Sequence, residues 1–203
     1  MQPLNFIGLY VITDNKKVEN VDFCKKVIAG GGKIIQLREK DKAKAVEIGR
    51  KLKILTEKNG VILIINDWPD VAKTINADGV HLGQKDMPIY KARKLLGRDK
   101  IIGVSTHNVK EALEAEQKGA DYIGIGPIYK TKTKNCNPVG LKIIEEVKKK
   151  IQIPFVAIGG INEDNIDEVL AAGAKNIAMI SAISKENNVK EKVEILTKKI
   201  KGD

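Results

Sequence analysis

This sequence has no long apolar runs and few cysteines, and each of these features excludes a class of protein. No apolar stretch approaches the roughly 18 residues of a membrane-spanning helix, so we expect no membrane partner. Cys24 and Cys136 form neither a zinc-ligand spacing nor a disulfide framework, and Cys24 is interpreted as core packing. The opening residues, MQPLNFIGLY, lack the basic start and cleavage site of a signal peptide, so we expect a cytoplasmic protein.

Aromatic residues are also few: one tryptophan, four tyrosines and three phenylalanines in 203 residues. The net charge of +10 by itself suggests nucleic-acid binding, because lysine and arginine can neutralise nucleic-acid phosphates. The scarcity of aromatic residues argues against it. Proteins that bind single strands combine basic residues with aromatic rings on which bases stack, and no such pattern occurs here. The lysines lie on predicted helix faces, as in EVKKK. We therefore expect no nucleic-acid partner and a surface that steers small anions.

No segment rich in proline, serine or glycine interrupts the chain, so we expect residues 1–203 to form a single domain. Short apolar segments alternate with stretches of helical period. The eight predicted strands are LYVIT from 9, KIIQLRE from 33, VILIIND from 61, GVHLG from 79, KIIGVST from 100, YIGIGPI from 122, FVAIGGI from 155 and NIAMISA from 176. This alternation predicts an α/β fold, a (β/α)₈ TIM barrel. A doubly wound open sheet is disfavoured because VITDNKK lacks the dinucleotide-binding GxGxxG.

Charged side chains follow the second predicted strand, at the end that carries the site in TIM barrels. The apolar segment IIQL runs directly into Arg38, Glu39 and Lys40. Because side chains alternate along a strand, Gln36, Arg38 and Lys40 are expected on one inward face. A cation taken out of water needs a partner, so this face predicts an anion-binding site.

Two carboxylates, Asp67 and Asp86, follow the third and fourth predicted strands, which are neighbours in a barrel. We therefore expect them to converge. Mg²⁺ in proteins is held by one or two carboxylates together with substrate phosphate oxygens, and a metal-bound diphosphate would satisfy both aspartates and the nearby cations. The alternative is that the aspartates form salt bridges with Arg38 and Lys40.

A second anion site is predicted where AIGGI ends the seventh strand and opens a helix, because free backbone N–H groups there favour a phosphate. Ser181 ends the eighth strand beside it. Between the two sites runs the longest polar connection, GPIYKTKTKNCNPVG, residues 126–140. It is either a solvated loop or a segment that closes over a substrate through Thr131, Thr133 and Lys134.

The two histidines support no nucleophile triad, because the sequence places no serine or cysteine with a histidine and a carboxylate. His81 lies within a strand and is either a satisfied core residue or a site residue. His107 opens the helix after the fifth strand, where Thr106 or Asn108 is expected to cap.

The combination of QLREK, IND, GVHLGQKDMP, GVSTH, GPIYKTKTK, AIGGI and MISAI resembles the thiamine phosphate synthase family, in order, from LYVIT to MISAI. The resemblance implies a Mg²⁺-dependent transferase that joins hydroxymethylpyrimidine diphosphate to a thiazole phosphate, giving thiamine phosphate and pyrophosphate. Two departures from the family's pattern are visible. Trp68-Pro69 stands where members commonly have Arg-Val, and the loop from 134 to 140 reads KNCNPVG.

The resemblance also implies roles for individual residues. Asp67 and Asp86 are expected to bind the Mg²⁺ cofactor. The expected catalytic residues are Arg38, Lys40, Ser105 and Lys134. The pyrimidine diphosphate is expected at Gln36, Leu37, Arg38, Glu39, Lys40, Asn66, Ser105 and Lys134, and the thiazole phosphate at Thr131, Lys132, Thr133, Gly160, Ile180 and Ser181. The implied partners are small phosphorylated molecules.

Two other functions stay open. One is a thiazole tautomerase of the same fold, which the chain also resembles around VSTH and which would use His107 for proton transfer. Retention of Arg38, Asp67, Asp86 and TKTK favours the synthase, because an isomerase has no diphosphate to bind. The other is a noncatalytic phosphate-binding or polyanion-binding barrel, whose affinity would fall steeply with salt and need no divalent ion.

Overall fold

The structure is a computed structural model that describes residues 8–14, 20–131 and 136–202. Eight parallel strands form a closed barrel in sequence order. The strands are β1 (Gly8–Ile12), β2 (Ile34–Leu37), β3 (Ile62–Asn66), β4 (Gly79–Leu82), β5 (Ile101–Thr106), β6 (Tyr122–Ile125), β7 (Phe155–Ile158) and β8 (Asn176–Met179). The TIM barrel is therefore confirmed and the open sheet is excluded; the single domain over 1–203 stays a prediction.

Helices follow the strands around the barrel. They are α1 (Asn20–Ala29), α2 (Lys42–Lys58), α3 (Pro69–Thr74), α4 (Ile89–Leu96), α5 (Val109–Gln117), α6 (Lys142–Lys150), α7 (Ile166–Ala171), α8 (Ser181–Ser184) and α9 (Val189–Lys201). Among the residues described, none of them is both long and apolar enough to cross a membrane. Pro69 is accommodated because it occupies the first turn of α3, where its missing N–H has no helical partner.

Apolar side chains form two layers. The inner layer fills the barrel with Tyr10, Ile12, Ile34, Ile64, Tyr122, Val156 and Ala178. The outer layer lies between strands and helices and includes Ile35, Leu37 and Cys24. Along β2 the side chains therefore alternate between layers, as a strand requires. Burial raises the pKa of the Cys24 thiol to about 12, which fits its predicted role in packing.

The strand β2 is shorter than the sequence predicted. Its pairing with β3 ends at Leu37, and the N–H of Arg38 donates to the hydroxyl oxygen of Thr13 at 3.0 Å. The backbone thus leaves the ladder at Arg38, so Arg38 and Lys40 do not share a strand face as predicted. Arg38 is partly buried, whereas Lys40 is exposed.

Carboxylates stabilise the amino ends of two strands in the same way. Asp78, just before β4, accepts from Lys53 at 2.9 Å and from a backbone N–H of β3 at 2.8 Å. Asp121, just before β6, accepts from Arg93 at 2.6 Å and from a backbone N–H of β5 at 2.7 Å. Each carboxylate joins two neighbouring strands to a helix, which fixes this end of the barrel.

Candidate active site

A pocket opens at the carboxyl ends of the strands, and many of the predicted site residues meet there. Those that line it are Gln36, Arg38, Asn66, Ser105, Thr131, Gly160, Ile180 and Ser181. His81, His107 and Cys136 line it as well. One cavity therefore contains side chains from both predicted anion sites.

The remaining predicted residues lie elsewhere. Leu37 packs in the outer apolar layer, and Glu39 and Lys40 follow β2 outside the pocket lining. Lys132, Thr133 and Lys134 lie outside the described residues, so the closing-loop interpretation stays a prediction.

Arg38 supplies a positive charge to the pocket. Within the described part of the chain it forms no ion pair, and neither Arg38 nor Lys40 is paired with Asp67 or Asp86. The alternative interpretation, in which these aspartates and cations form structural salt bridges, is therefore not supported. A guanidinium in this position suits a phosphate or diphosphate group, which it can bind through two parallel hydrogen bonds.

The loop that contains Arg38 is attached to the next loop by Trp68. The indole Nε1–H donates to the backbone carbonyl of Glu39 at 3.2 Å. The ammonium of Lys42 lies over the Trp68 ring, 5.4 Å from its centroid, and pairs with Asp70. Trp68 therefore links the loops that follow β2 and β3.

The two predicted metal ligands follow β3 and β4, and neither is among the residues that line this pocket. Asp67 directly follows Asn66, which lines it, whereas Asp86 lines a second pocket together with Gln84 and Met87. Asp67 has a positive φ of 64°, a conformation that Asp and Asn adopt more readily than most residues. Its backbone N–H donates to the carbonyl of His81 at 2.9 Å. In Asp86, Oδ2 accepts from the N–H of Gly83 at 2.6 Å.

The donor chemistry of these carboxylates fits Mg²⁺. No cluster of three or more histidine, cysteine or acidic residues that suits a metal occurs in the described ranges. Mg²⁺ does not need such a cluster, because it is commonly held by one or two carboxylates, water and substrate phosphate oxygens. Asp67 and Asp86 could therefore hold the ion together with water and substrate oxygens.

The far side of the pocket is built by the turn after β7. Gly159 and Gly160 have positive φ values of 100° and 69°. A Cβ on Gly160 would lie 2.7 Å from the carbonyl oxygen of Lys130 and 2.7 Å from Cβ of Tyr129. Only glycine permits this approach of the turn to the polar connection, and Ser181, at the start of α8, lines the pocket beside it.

Buried hydrogen bonds beneath the pocket form a feature that the sequence did not predict. Gln36, 2% exposed, donates from Nε2 to the hydroxyl of Tyr10 at 2.8 Å, and Tyr10 meets the hydroxyl of Tyr122 at 2.7 Å. Tyr122 in turn contacts Nδ1 of His81 at 2.9 Å, and Nε2 of His81 contacts Oγ of Ser105 at 2.9 Å. His81 is thus hydrogen-bonded through both ring nitrogens and also lines the pocket.

His107 makes different hydrogen bonds from those of His81. Nδ1 of His107 lies 2.9 Å from Oε2 of Glu111, and the same oxygen accepts from the backbone N–H of His107 at 2.8 Å. Asn108 caps α5, as one of the two predicted alternatives, by accepting from the N–H of Glu111 at 2.9 Å.

Comparisons with known proteins agree with this site. A family model described as thiamine monophosphate synthase matches residues 9–183. A thiamine-phosphate synthase of Clostridium acetobutylicum is 47% identical over 194 residues, covering 93% of this chain and 92% of that protein. One from Halalkalibacterium halodurans is 51% identical over 177 residues, covering 85% and 84%.

A solved structure, the thiamine phosphate pyrophosphorylase from Pyrococcus furiosus, superposes with a TM-score of 0.90 at 39% identity. The match covers 97% of this chain and 96% of that one. The family model spans most of the chain, and the relatives match over nearly their whole length. The chain therefore belongs to the thiamine monophosphate synthase family.

Proposed function

We propose that this protein condenses hydroxymethylpyrimidine diphosphate with a thiazole phosphate to give thiamine phosphate and pyrophosphate. The observation that carries the proposal is one pocket with Arg38, which forms no ion pair with the described residues, on one side and the Gly159–Gly160 turn on the other, in a member of this family. Two anionic groups, one on each substrate, suit these two sides.

The reaction exchanges one bond for another. The bond between the pyrimidine methylene carbon and the diphosphate oxygen breaks, and the thiazole nitrogen forms a bond to that carbon. Negative charge accumulates on the departing pyrophosphate, so catalysis requires cations that bind it more tightly as it leaves. Arg38, Lys40 and Lys134 are the proposed cations. No protein nucleophile is needed.

The other residues bind and orient the substrates. Gln36, Asn66 and Ser105 are proposed to hold the pyrimidine, and Thr131, Gly160 and Ser181 the thiazole phosphate. Mg²⁺, held by Asp67 and Asp86, would neutralise charge on the diphosphate. A cytoplasmic location and a partner set limited to small phosphorylated molecules stay predictions from the sequence.

A thiazole tautomerase is the second candidate because His107 lines the pocket with one ring nitrogen against the carboxylate of Glu111. Such a pair can accept and return a proton. The cation that Arg38 contributes to the pocket lining favours the synthase, because a tautomerase substrate carries no diphosphate.

The test is to incubate the protein with both phosphorylated substrates and Mg²⁺, with and without a chelator, and to detect thiamine phosphate by mass. Arms with a single substrate serve as controls, and the tautomeric thiazole phosphate alone tests the second candidate. We expect product only with both substrates and Mg²⁺. Absence of product with isomerisation of the thiazole would establish the tautomerase instead; product formed in chelator would remove Mg²⁺ from the proposal.

A further inference from the structure

The turn that follows β7 brings two backbone N–H groups to the pocket. Gly160 and Ile161 both line the cavity, and neither N–H bonds to a residue that the structure describes. The side chain of Ile161 packs in the outer apolar layer. Successive N–H groups of this kind form a concave binding site for an anion, which suits the phosphate of the thiazole substrate.

The direction of each N–H is fixed by the carbonyl of the same peptide group. These peptides are trans and planar, so C=O and N–H point in opposite directions. The Gly159 carbonyl accepts from the backbone N–H of Tyr129 at 2.9 Å, which turns the Gly160 N–H away from Tyr129. The Gly160 carbonyl accepts from Nδ2 of Asn165 at 3.0 Å, which turns the Ile161 N–H away from Asn165. The second N–H therefore depends on one side chain.

Asn165 stands at the N-cap position of α7, yet its side chain faces back into the turn. Within the described structure it accepts from no N–H of that helix, although asparagine at this position commonly does so. Instead, Oδ1 accepts from the backbone N–H of Asn162 at 2.9 Å while Nδ2 donates to Gly160. A backbone N–H can only donate and a carbonyl can only accept, so both amide atoms of Asn165 are identified by their partners.

A second asparagine in the same turn has a different task. Oδ1 of Asn162 accepts from the backbone N–H of Asp164 at 2.9 Å and from that of Asn165 at 3.3 Å. Asn162 thus stabilises the turn through its N–H groups, whereas Asn165 holds the carbonyl of the peptide that faces the pocket. Two residues of the same type, three positions apart, therefore provide a variant and its control.

We propose that Asn165 is a positioning residue that holds the Gly160–Ile161 peptide with its N–H directed at the phosphate of the thiazole substrate. The inference rests on the proposed function for the identity of that substrate. The orientation of the peptide rests on the hydrogen bonds alone.

The first test replaces each asparagine by a carboxylate of the same shape. Asn165→Asp keeps an oxygen for the Asn162 N–H and removes the donor to the Gly160 carbonyl. Asn162→Asp adds the same charge to the same turn and keeps its own accepting oxygen. We expect Asn165→Asp to raise the KM for the thiazole phosphate about tenfold, the ratio for one hydrogen bond to a charged group, and Asn162→Asp to change it less than about twofold.

The KM for the pyrimidine diphosphate should stay unchanged in both variants, because Asn165 contacts only the turn after β7. Equal rises in the two variants for the thiazole phosphate would mean that the added charge acts and not the lost donor. Equal rises for both substrates in Asn165→Asp would mean that the residue only stabilises the fold. Either result overturns the proposal.

The second test needs neither activity nor a variant. Inorganic phosphate is titrated into ¹⁵N-labelled wild-type protein, and the backbone N–H signal of Ile161 and the side-chain amide signal of Asn165 are followed. We expect both to shift with the same Kd, because both groups bond to opposite ends of one peptide. A stationary Ile161 signal would show that its N–H does not meet the anion, and a stationary Asn165 signal would remove this side chain from the site; each overturns the proposal.

The titration also separates the two levels of inference. In Asn165→Asp the Kd for phosphate should rise about tenfold, and if that variant does not fold, the wild-type signals still decide the role of Asn165. A protein without synthase activity contradicts the proposed function. If its Ile161 and Asn165 signals nevertheless respond to phosphate together, Asn165 still orients a phosphate-binding turn.

Discussion

At the amino ends of β4 and β6, Asp78 and Asp121 each accept from a basic side chain and from a strand N–H. At the carboxyl end of β2, Arg38 lines a pocket and pairs with no carboxylate among the residues that the structure describes. Both ends carry charge beside apolar strands. The amino end satisfies its charges within the protein, which serves stability, whereas the carboxyl end leaves a cation for a ligand.

The strongest test of this comparison removes a carboxylate from the amino end. Asp121→Ala leaves Arg93 without its carboxylate and a β5 N–H without an acceptor, so we expect a loss of roughly 3 kcal/mol in the free energy of unfolding. Urea titration measures it. Asp22→Ala is the control, because Asp22 pairs with Lys25 on the exposed surface. Equal stability of Asp121→Ala and wild type would contradict a stabilising role for this end.

The corresponding change at the carboxyl end should affect catalysis instead. Asp67→Asn removes a charge but keeps a residue that tolerates the positive φ at this position, so the backbone conformation should be retained and turnover should change far more than the unfolding midpoint. Turnover at ordinary Mg²⁺ should fall about 100-fold, since a proposed metal ligand is lost. Asp86→Asn should behave alike. Wild-type turnover in either variant would rule out that residue as a ligand.

Two arginines provide a matched pair. Arg38→Met should lower kcat/KM between about 10-fold and 100-fold, the value of a charged hydrogen bond, without lowering the melting temperature. Arg93→Met should do the reverse, because it leaves Asp121 unpaired. Thermal melts and turnover of both variants show whether each arginine serves catalysis or stability. A clear loss of stability in Arg38→Met with activity retained would show that this cation is structural.

The smallest expected effect separates the two sides of the pocket. Ser181→Ala should raise the KM for the thiazole phosphate about tenfold and that for the pyrimidine diphosphate much less, since one hydrogen bond to a charged phosphate is lost. Ser184→Ala on the same short helix is the control, because its buried hydroxyl makes no hydrogen bond in the described structure. Equal effects of Ser181→Ala on both substrates would mean that the two anion sites were wrongly separated.

The barrel could be predicted because its strands and helices are recognisable from short stretches of sequence. Apolar runs indicate the strands, and their alternation with helices requires parallel pairing. The prediction extended β2 too far and misplaced Lys40, because the N–H of Arg38 leaves the ladder for the Thr13 side chain, although Arg38 itself lines the pocket as predicted. Bonds from side chain to backbone do not appear in hydrophobic periodicity.

The interior chain was missed for a different reason. Tyr10 and Tyr122 lie 112 residues apart, and only the register of the closed barrel brings them together. A signal was present in the sequence, since the apolar strands IIGVST and YIGI each contain an interior glycine, which marks a close approach of other groups. Which groups approach could not be told without the strand order and register.

Trp68 gives the protein an optical probe of its own. It is the sole tryptophan in the sequence, and it directly follows Asp67. Its indole N–H donates a hydrogen bond to the loop that contains Arg38. Fluorescence excited at wavelengths too long for tyrosine to absorb therefore comes from this one ring, and no label is needed. Any ligand that shifts the Glu39 carbonyl or the Lys42 ammonium should change its intensity or wavelength. Titration with pyrophosphate and Mg²⁺ can thus report binding at the β2 and β3 loops in real time, before any chemistry occurs.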